Sequence, residues 1–169
     1  MILLALGANL AGPWGGPRDT LERVLEALEA ARLRVVGRSS WLRTRPYGVT
    51  AQPDFINGVV ALAGALPPDA LLARCQQIER DAGRTPSRRW GARVCDIDII
   101  DWHGIVRPPP GRLILPHPGI SERAFVLAPL REIAPRWHHP VTGMTPSQML
   151  MRLRADEGGI ISIAANIRE

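Results

Sequence analysis

In RRWGARVCDIDII, residues 88–100, two aspartates stand two apart inside an apolar run, directly after a cluster of arginines. Residues two apart on a strand point the same way, with Cα atoms roughly 6.5–7 Å apart. Asp96 and Asp98 therefore share one face, and Ile97 and Ile99 take the other. Two partly desolvated carboxylates at that spacing repel unless a proton or a cation lies between them. Oxygen-only ligands suit magnesium, which takes one or two carboxylates together with substrate phosphates. A pair of such ions would flank a phosphoryl group in transfer. Arg84, Arg88, Arg89 and Arg93 supply the opposite charge, since guanidinium forks grip phosphate oxygens and stabilise charge as it accumulates. The loop between them is rich in small residues and is expected to close when phosphate arrives. A strand end with two solvated acids beside solvated arginines is the alternative, because D-x-D alone is a weak motif.

The elements that must position these groups are legible as periodicities. ILLAL, residues 2–6, is an unbroken apolar run that ends at Gly7 and predicts a buried strand. After a glycine- and proline-rich loop, Leu21, Val24, Leu25 and Leu28 recur at helical spacing. Asp19 and Glu22 resemble a capping box there, with Pro17 as an earlier possible start. Residues 34–44 read as one extended run that stops at the turn RPYG, and residues 55–64 as a second long strand. Pro67 and Pro68 open a second helix whose apolar face is Leu71, Cys75, Ile78 and Ala82, closed by Gly83. The strand CDIDIIDW follows, then a proline-rich loop, a helix within 121–135 and a short one near 145–154. That order predicts an α+β fold, the ferredoxin-like βαββαβ sandwich: an antiparallel sheet with helices on one face and a C-terminal extension.

Composition narrows the class. At 169 residues, 46% hydrophobic and 22% charged, the chain suits one globular domain, taken as 1–169. Its net charge is +5 and its 21 basic residues are all arginine, which favours a phosphate-bearing partner. Cys75 and Cys95 lack any metal-ligand spacing and read as free thiols in a reducing compartment. MILLALGANL has no basic leader, and no run approaches 18 apolar residues, so a cytoplasmic protein with no membrane partner is expected. A basic ferredoxin-like module for nucleic acid is the rival class. Such modules stack bases on an aromatic pair in central strands, whereas positions 96 and 98 are acids that repel a phosphate backbone.

Several motifs, in this order, resemble the 6-hydroxymethyl-7,8-dihydropterin pyrophosphokinase family of folate biosynthesis. They are ALGANL, QPDFIN at 52–57, the Q-x-x-E of CQQIE, R-W-G-x-R ending at 93, D-I-D-I, L-P-H, and R-x-F at 123–125. The resemblance implies the ferredoxin-like sandwich and transfer of the terminal diphosphate of ATP to the pterin's hydroxymethyl oxygen, releasing AMP. It implies two magnesium ions at Asp96 and Asp98, with Arg84 and Arg93 holding phosphates as catalytic residues, and Arg89 and Trp90 on the closing loop. For ATP it points to Gln76, Glu79, Arg112, His117 and Arg123, with the Ile99 backbone meeting the adenine. For the pterin it points to Phe55 and Phe125 as stackers, and Asn57, Thr44, Pro46 and Tyr47 along the polar edge, with Trp90 and Asp96 alongside. ATP and the pterin would be the only partners of a monomer that takes no nucleic acid. A catalytically inactive paralogue is the further alternative.

Overall fold

Every residue of the first strand, β1 (Ile2–Ala8), is buried. An apolar run without alternation fits a strand covered on both faces, and β1 occupies the middle of the sheet. It pairs antiparallel with β4 (Phe55–Ala63) on one side and β5 (Asp96–Trp102) on the other. The sheet order is β2-β4-β1-β5, with β2 (Arg34–Arg38) and β3 (Leu42–Thr44) pairing in succession along β4. The structure, a computed structural model, describes residues 1–46, 51–85 and 91–156, with side chains to 153 in the last segment.

The single extended run expected over 34–44 is thus two short strands. Ser39 makes the break: its amide donates to the Val59 carbonyl at 3.0 Å, and its hydroxyl accepts the Val59 amide at 2.9 Å. The Trp41 ring then lies on Gly58, where any Cβ would come within 2.5 Å of it. Glu22 holds that ring through Nε1 at 2.8 Å, so it serves the strand break instead of a capping box. Helix α1 (Pro17–Ala30) begins at the proline, and the Asp19 carboxylate reaches back to the Gly16 amide at 3.1 Å.

The sheet is antiparallel and the fold α+β, as expected, with the two helices of the βαββαβ unit on one face and those of the C-terminal extension on the other. Helices α1 and α2 (Pro68–Asp81) pack with Leu4, Leu6, Val60, Leu62, Ile97 and Ile99. On the opposite face α3 (Ala124–Ile133) and α4 (Pro146–Asp156) pack with Leu3, Ala5, Val59, Ala61 and Ile100. The C-terminal extension is therefore the second helical layer, and it supplies the apolar cover that β1 demands on that side.

Two local features aim the site. Past the end of α2, Gly83 takes φ +94°, its amide bonds the Arg80 carbonyl, and the Arg84 amide bonds the Glu79 carbonyl, both at 2.9 Å. This is a Schellman turn, and it brings Arg84 back over the helix end. In β5 the pairing passes from Leu4–Ile99 to Leu3–Asp101, leaving Ile100 as a bulge. Ile100 and Asp101 both turn to the α3 side. Asp101, 3% exposed, accepts the Trp137 Nε1 proton at 3.2 Å and the Gly104 amide at 3.1 Å, a structural role.

Candidate active site

Asp96 and Asp98 project from the edge strand β5, on the face it shares with Ile100, and are half-buried. Arg84 Nη1 lies 2.8 Å from Asp96 Oδ1 and Arg93 Nη1 2.6 Å from Asp96 Oδ2. Arg123 Nη1 sits 2.7 Å from Asp98 Oδ2. Arg84 also pairs with Glu79, whose Oε1 accepts the Ile97 amide at 2.8 Å across the free edge of β5. Three carboxylates thus meet three guanidiniums. The arginines themselves neutralise the acid pair that the sequence leaves unexplained.

Each arginine is placed by the backbone beneath it. The Schellman turn sets Arg84. The Arg93 amide donates to Asn9 Oδ1 at 2.7 Å, and the Arg93 carbonyl accepts the Asn9 amide at 2.9 Å. Arg123 caps α3, where the helix's positive end disfavours a cation. Its pairing with Asp98 offsets that cost.

Burial first, and then the charge of Asp98, push the Asp96 carboxyl above its ordinary value, against the pull of Arg93 and Arg84. Burial likewise raises Glu79 to about 7, opposed by Arg84 and the Ile97 amide. Burial lowers the His117 ring, outweighing the Asp98 carboxylate beside it. A neutral ring whose Nδ1 accepts the Gly119 amide at 3.1 Å carries its proton on Nε2, which lies 3.6 Å from Asp98 Oδ2.

Two cavities flank the acids. One, of about 80 Å³, is lined by Phe55, Phe125, Asn57, Arg45, Arg93, Arg123 and Asp96. Asn57 is 6% exposed and donates through Nδ2 to Thr44 Oγ1 at 2.8 Å. Its Oδ1 lies over Gly7, where a Cβ would come within 2.8 Å, so a larger residue at 7 would displace this amide. The other cavity, about 240 Å³, follows the free edge of β5 between Leu72, Ile97 and Ile99 on one side and Arg112, Leu113 and His117 on the other. Asp96 lines the first and Asp98 the second.

Most of the expected site residues converge here. Gln76, half-buried on α2, and Pro46, beyond β3, line neither cavity. Tyr47, Arg89 and Trp90 lie outside the described residues. Sequence reasoning gave no site role to Asn9 or Leu72, and left open what Arg45 does to substrate affinity. A polar residue directly after a fully buried strand was the available signal for Asn9, and adjacency to Thr44 for Arg45. Leu72 carried none beyond its place one turn before Gln76.

Among the described residues no group of three or more histidine, cysteine, aspartate or glutamate side chains encloses a metal. Two carboxylates on one strand face fit magnesium nonetheless. They would be the protein's share of a shell that phosphate oxygens and water would complete.

Carboxylates and guanidiniums gathered between an aromatic slot and an open strand edge are the equipment of an enzyme that handles phosphate groups. Comparison with known proteins narrows that class. The chain belongs to the 7,8-dihydro-6-hydroxymethylpterin-pyrophosphokinase family, whose profile matches residues 3–135, from β1 through α3. Several relatives carry the name 2-amino-4-hydroxy-6-hydroxymethyldihydropteridine pyrophosphokinase. The one from Methylorubrum extorquens is 45% identical over 133 residues, 78% of this chain and 81% of its own. The one from Synechocystis is 39% identical over 149 residues, 88% of this chain and 73% of its own. The Bacillus subtilis relative is 36% identical over 159 residues, 93% of this chain and 92% of its own. Helix α4 lies beyond the family match.

Proposed function

We propose that the chain moves the terminal diphosphate of ATP to the hydroxymethyl oxygen of 6-hydroxymethyl-7,8-dihydropterin, releasing AMP, a step of folate biosynthesis. Family membership and the names of its relatives support the activity. The observation that carries the residue assignment is the position of Asp96 and Asp98, one at each of two neighbouring cavities, with Arg84, Arg93 and Arg123 on their oxygens.

The pterin, flat and apolar on its faces, enters the smaller cavity between Phe55 and Phe125, with Asn57 and Thr44 toward its polar edge and Arg45 at the rim. ATP lies along the larger cavity. Strand residues two apart turn their amides the same way, so the Ile99 backbone faces the same free edge as the Ile97 amide and meets the adenine. The protonated Nε2 of His117 donates to a phosphate oxygen, and Arg112 flanks the tail from the outer wall. Arg84 and Arg93 turn from Asp96 to the β-phosphoryl oxygens as nucleotide arrives, where their charge counts most in the transition state. Two magnesium ions held at Asp96 and Asp98 would neutralise the polyphosphate and lower the pKa of the pterin hydroxyl. That hydroxyl attacks phosphorus directly, with no covalent enzyme intermediate. Gln76, Glu79, Pro46, Tyr47, Arg89 and Trp90 enter this reading through the resemblance, with Glu79 also fixing Arg84. Residues 1–169 are taken as one domain that acts as a cytoplasmic monomer.

The test is AMP release. AMP forms from ATP only with both magnesium and the pterin present; ADP as product, or turnover without pterin, overturns the assignment.

A further inference from the structure

Asn9 follows the last residue of β1 and is 3% exposed. A buried amide needs partners for its polar atoms, and Asn9 spends its own on two separate segments. Nδ2 donates to the Pro53 carbonyl at 2.9 Å and to Gln52 Oε1 at 3.3 Å. Oδ1 accepts the Arg93 amide at 2.7 Å, and the Asn9 amide returns a bond to the Arg93 carbonyl at 2.9 Å. Pro53 stands two residues before Phe55, the aromatic wall of the smaller cavity. Arg93 lines the same cavity and grips Asp96. One side chain therefore spans the pterin wall and the phosphate-facing wall.

We infer that Asn9 is a positioning residue that holds the pterin half-site in register with the Arg93–Asp96 half-site. This rests on the function proposed above. Asn9 touches no reacting atom. It acts through Phe55 and Arg93, and misplacement of reacting groups by a fraction of an ångström is costly in rate. A residue that merely caps β1 would, when replaced, lower stability and weaken both substrates alike.

Two variants separate these outcomes. Asn9→Ala removes both side-chain ties and keeps the backbone bond to Arg93; Asn9→Asp keeps an oxygen for the Arg93 amide and loses the group that reaches Pro53, so it decides the matter if Asn9→Ala does not fold. Calorimetric titration with a non-hydrolysable ATP analogue and magnesium, then with pterin added to that complex, is run beside steady-state AMP release and thermal melts. The expected result is nucleotide affinity within about twofold of the parent, while pterin affinity in the complex falls and its KM rises by on the order of tenfold. Equal weakening of both ligands, or no change in either, overturns the positioning role. A parent enzyme that releases no AMP would instead overturn the function itself, so the two failures are told apart.

Discussion

Gly83→Ala isolates the turn that delivers Arg84. At φ +94° an L side chain is strained, and the alanine Cβ would come within 2.5 Å of Pro13 Cδ, inside contact distance. Left-handed geometry costs a non-glycine residue about 1–2 kcal/mol, and an overpacked contact about 1–3 kcal/mol. Together these predict a loss of about 2–5 kcal/mol, or roughly 5–20 °C in Tm for a chain of this size. The two contributions separate experimentally. Pro13→Ala in the Gly83→Ala background removes the clash and leaves the strain, whereas Gly83→Asn lowers the strain and keeps the clash. Thermal melts of the four proteins give the stability side. AMP release gives the functional side, because a turn that reopens moves Arg84 away from Glu79 and Asp96. A Gly83→Ala protein melting within about 2 °C of the parent would refute the reasoning about the turn.

Three further outcomes are expected. Asp96→Ala and Asp98→Ala each lower kcat by about a thousandfold or more while the protein stays folded, since each removes a carboxylate from the charge-handling centre; near-normal turnover in either rules out the metal role. Phe125→Ala weakens pterin binding roughly 10- to 100-fold and leaves ATP-analogue binding nearly unchanged, as calorimetry would show. Equal losses for the two ligands would count against stacking. Burial pushes the Cys75 and Cys95 thiols up to about 12, so at pH 8 both stay neutral and a thiol reagent labels them only after denaturation; rapid labelling of the native protein would contradict their burial.

What could be read from the sequence was whatever a local period encodes. The unbroken ILLAL marked a strand buried on both sides, and Asp96 and Asp98 fell on one face because strand geometry requires it. What escaped was set by distant partners. Ser39 ends β2 only because Val59 lies opposite, and no neighbour of Ser39 in sequence signals that. Strict alternation along DIDIID would set Asp101 on the side of Ile97, but the bulge at Ile100 turns it toward Trp137. The helices after residue 120 were visible as helices, yet nothing local says which face of the sheet they cover. In the site, residue types with distinctive chemistry were found, whereas Asn9, Arg45 and Leu72 gain meaning only from the segments folded against them.

The internal balance of acids and guanidiniums has a consequence for how the enzyme rests between turnovers. A fold whose charges are already matched does not lean on a bound ion for its integrity. Exhaustive treatment with a chelator should therefore silence catalysis while the melting curve stays where it was. On the proposed reading the divalent ion would come and go with its nucleotide and leave the scaffold untouched.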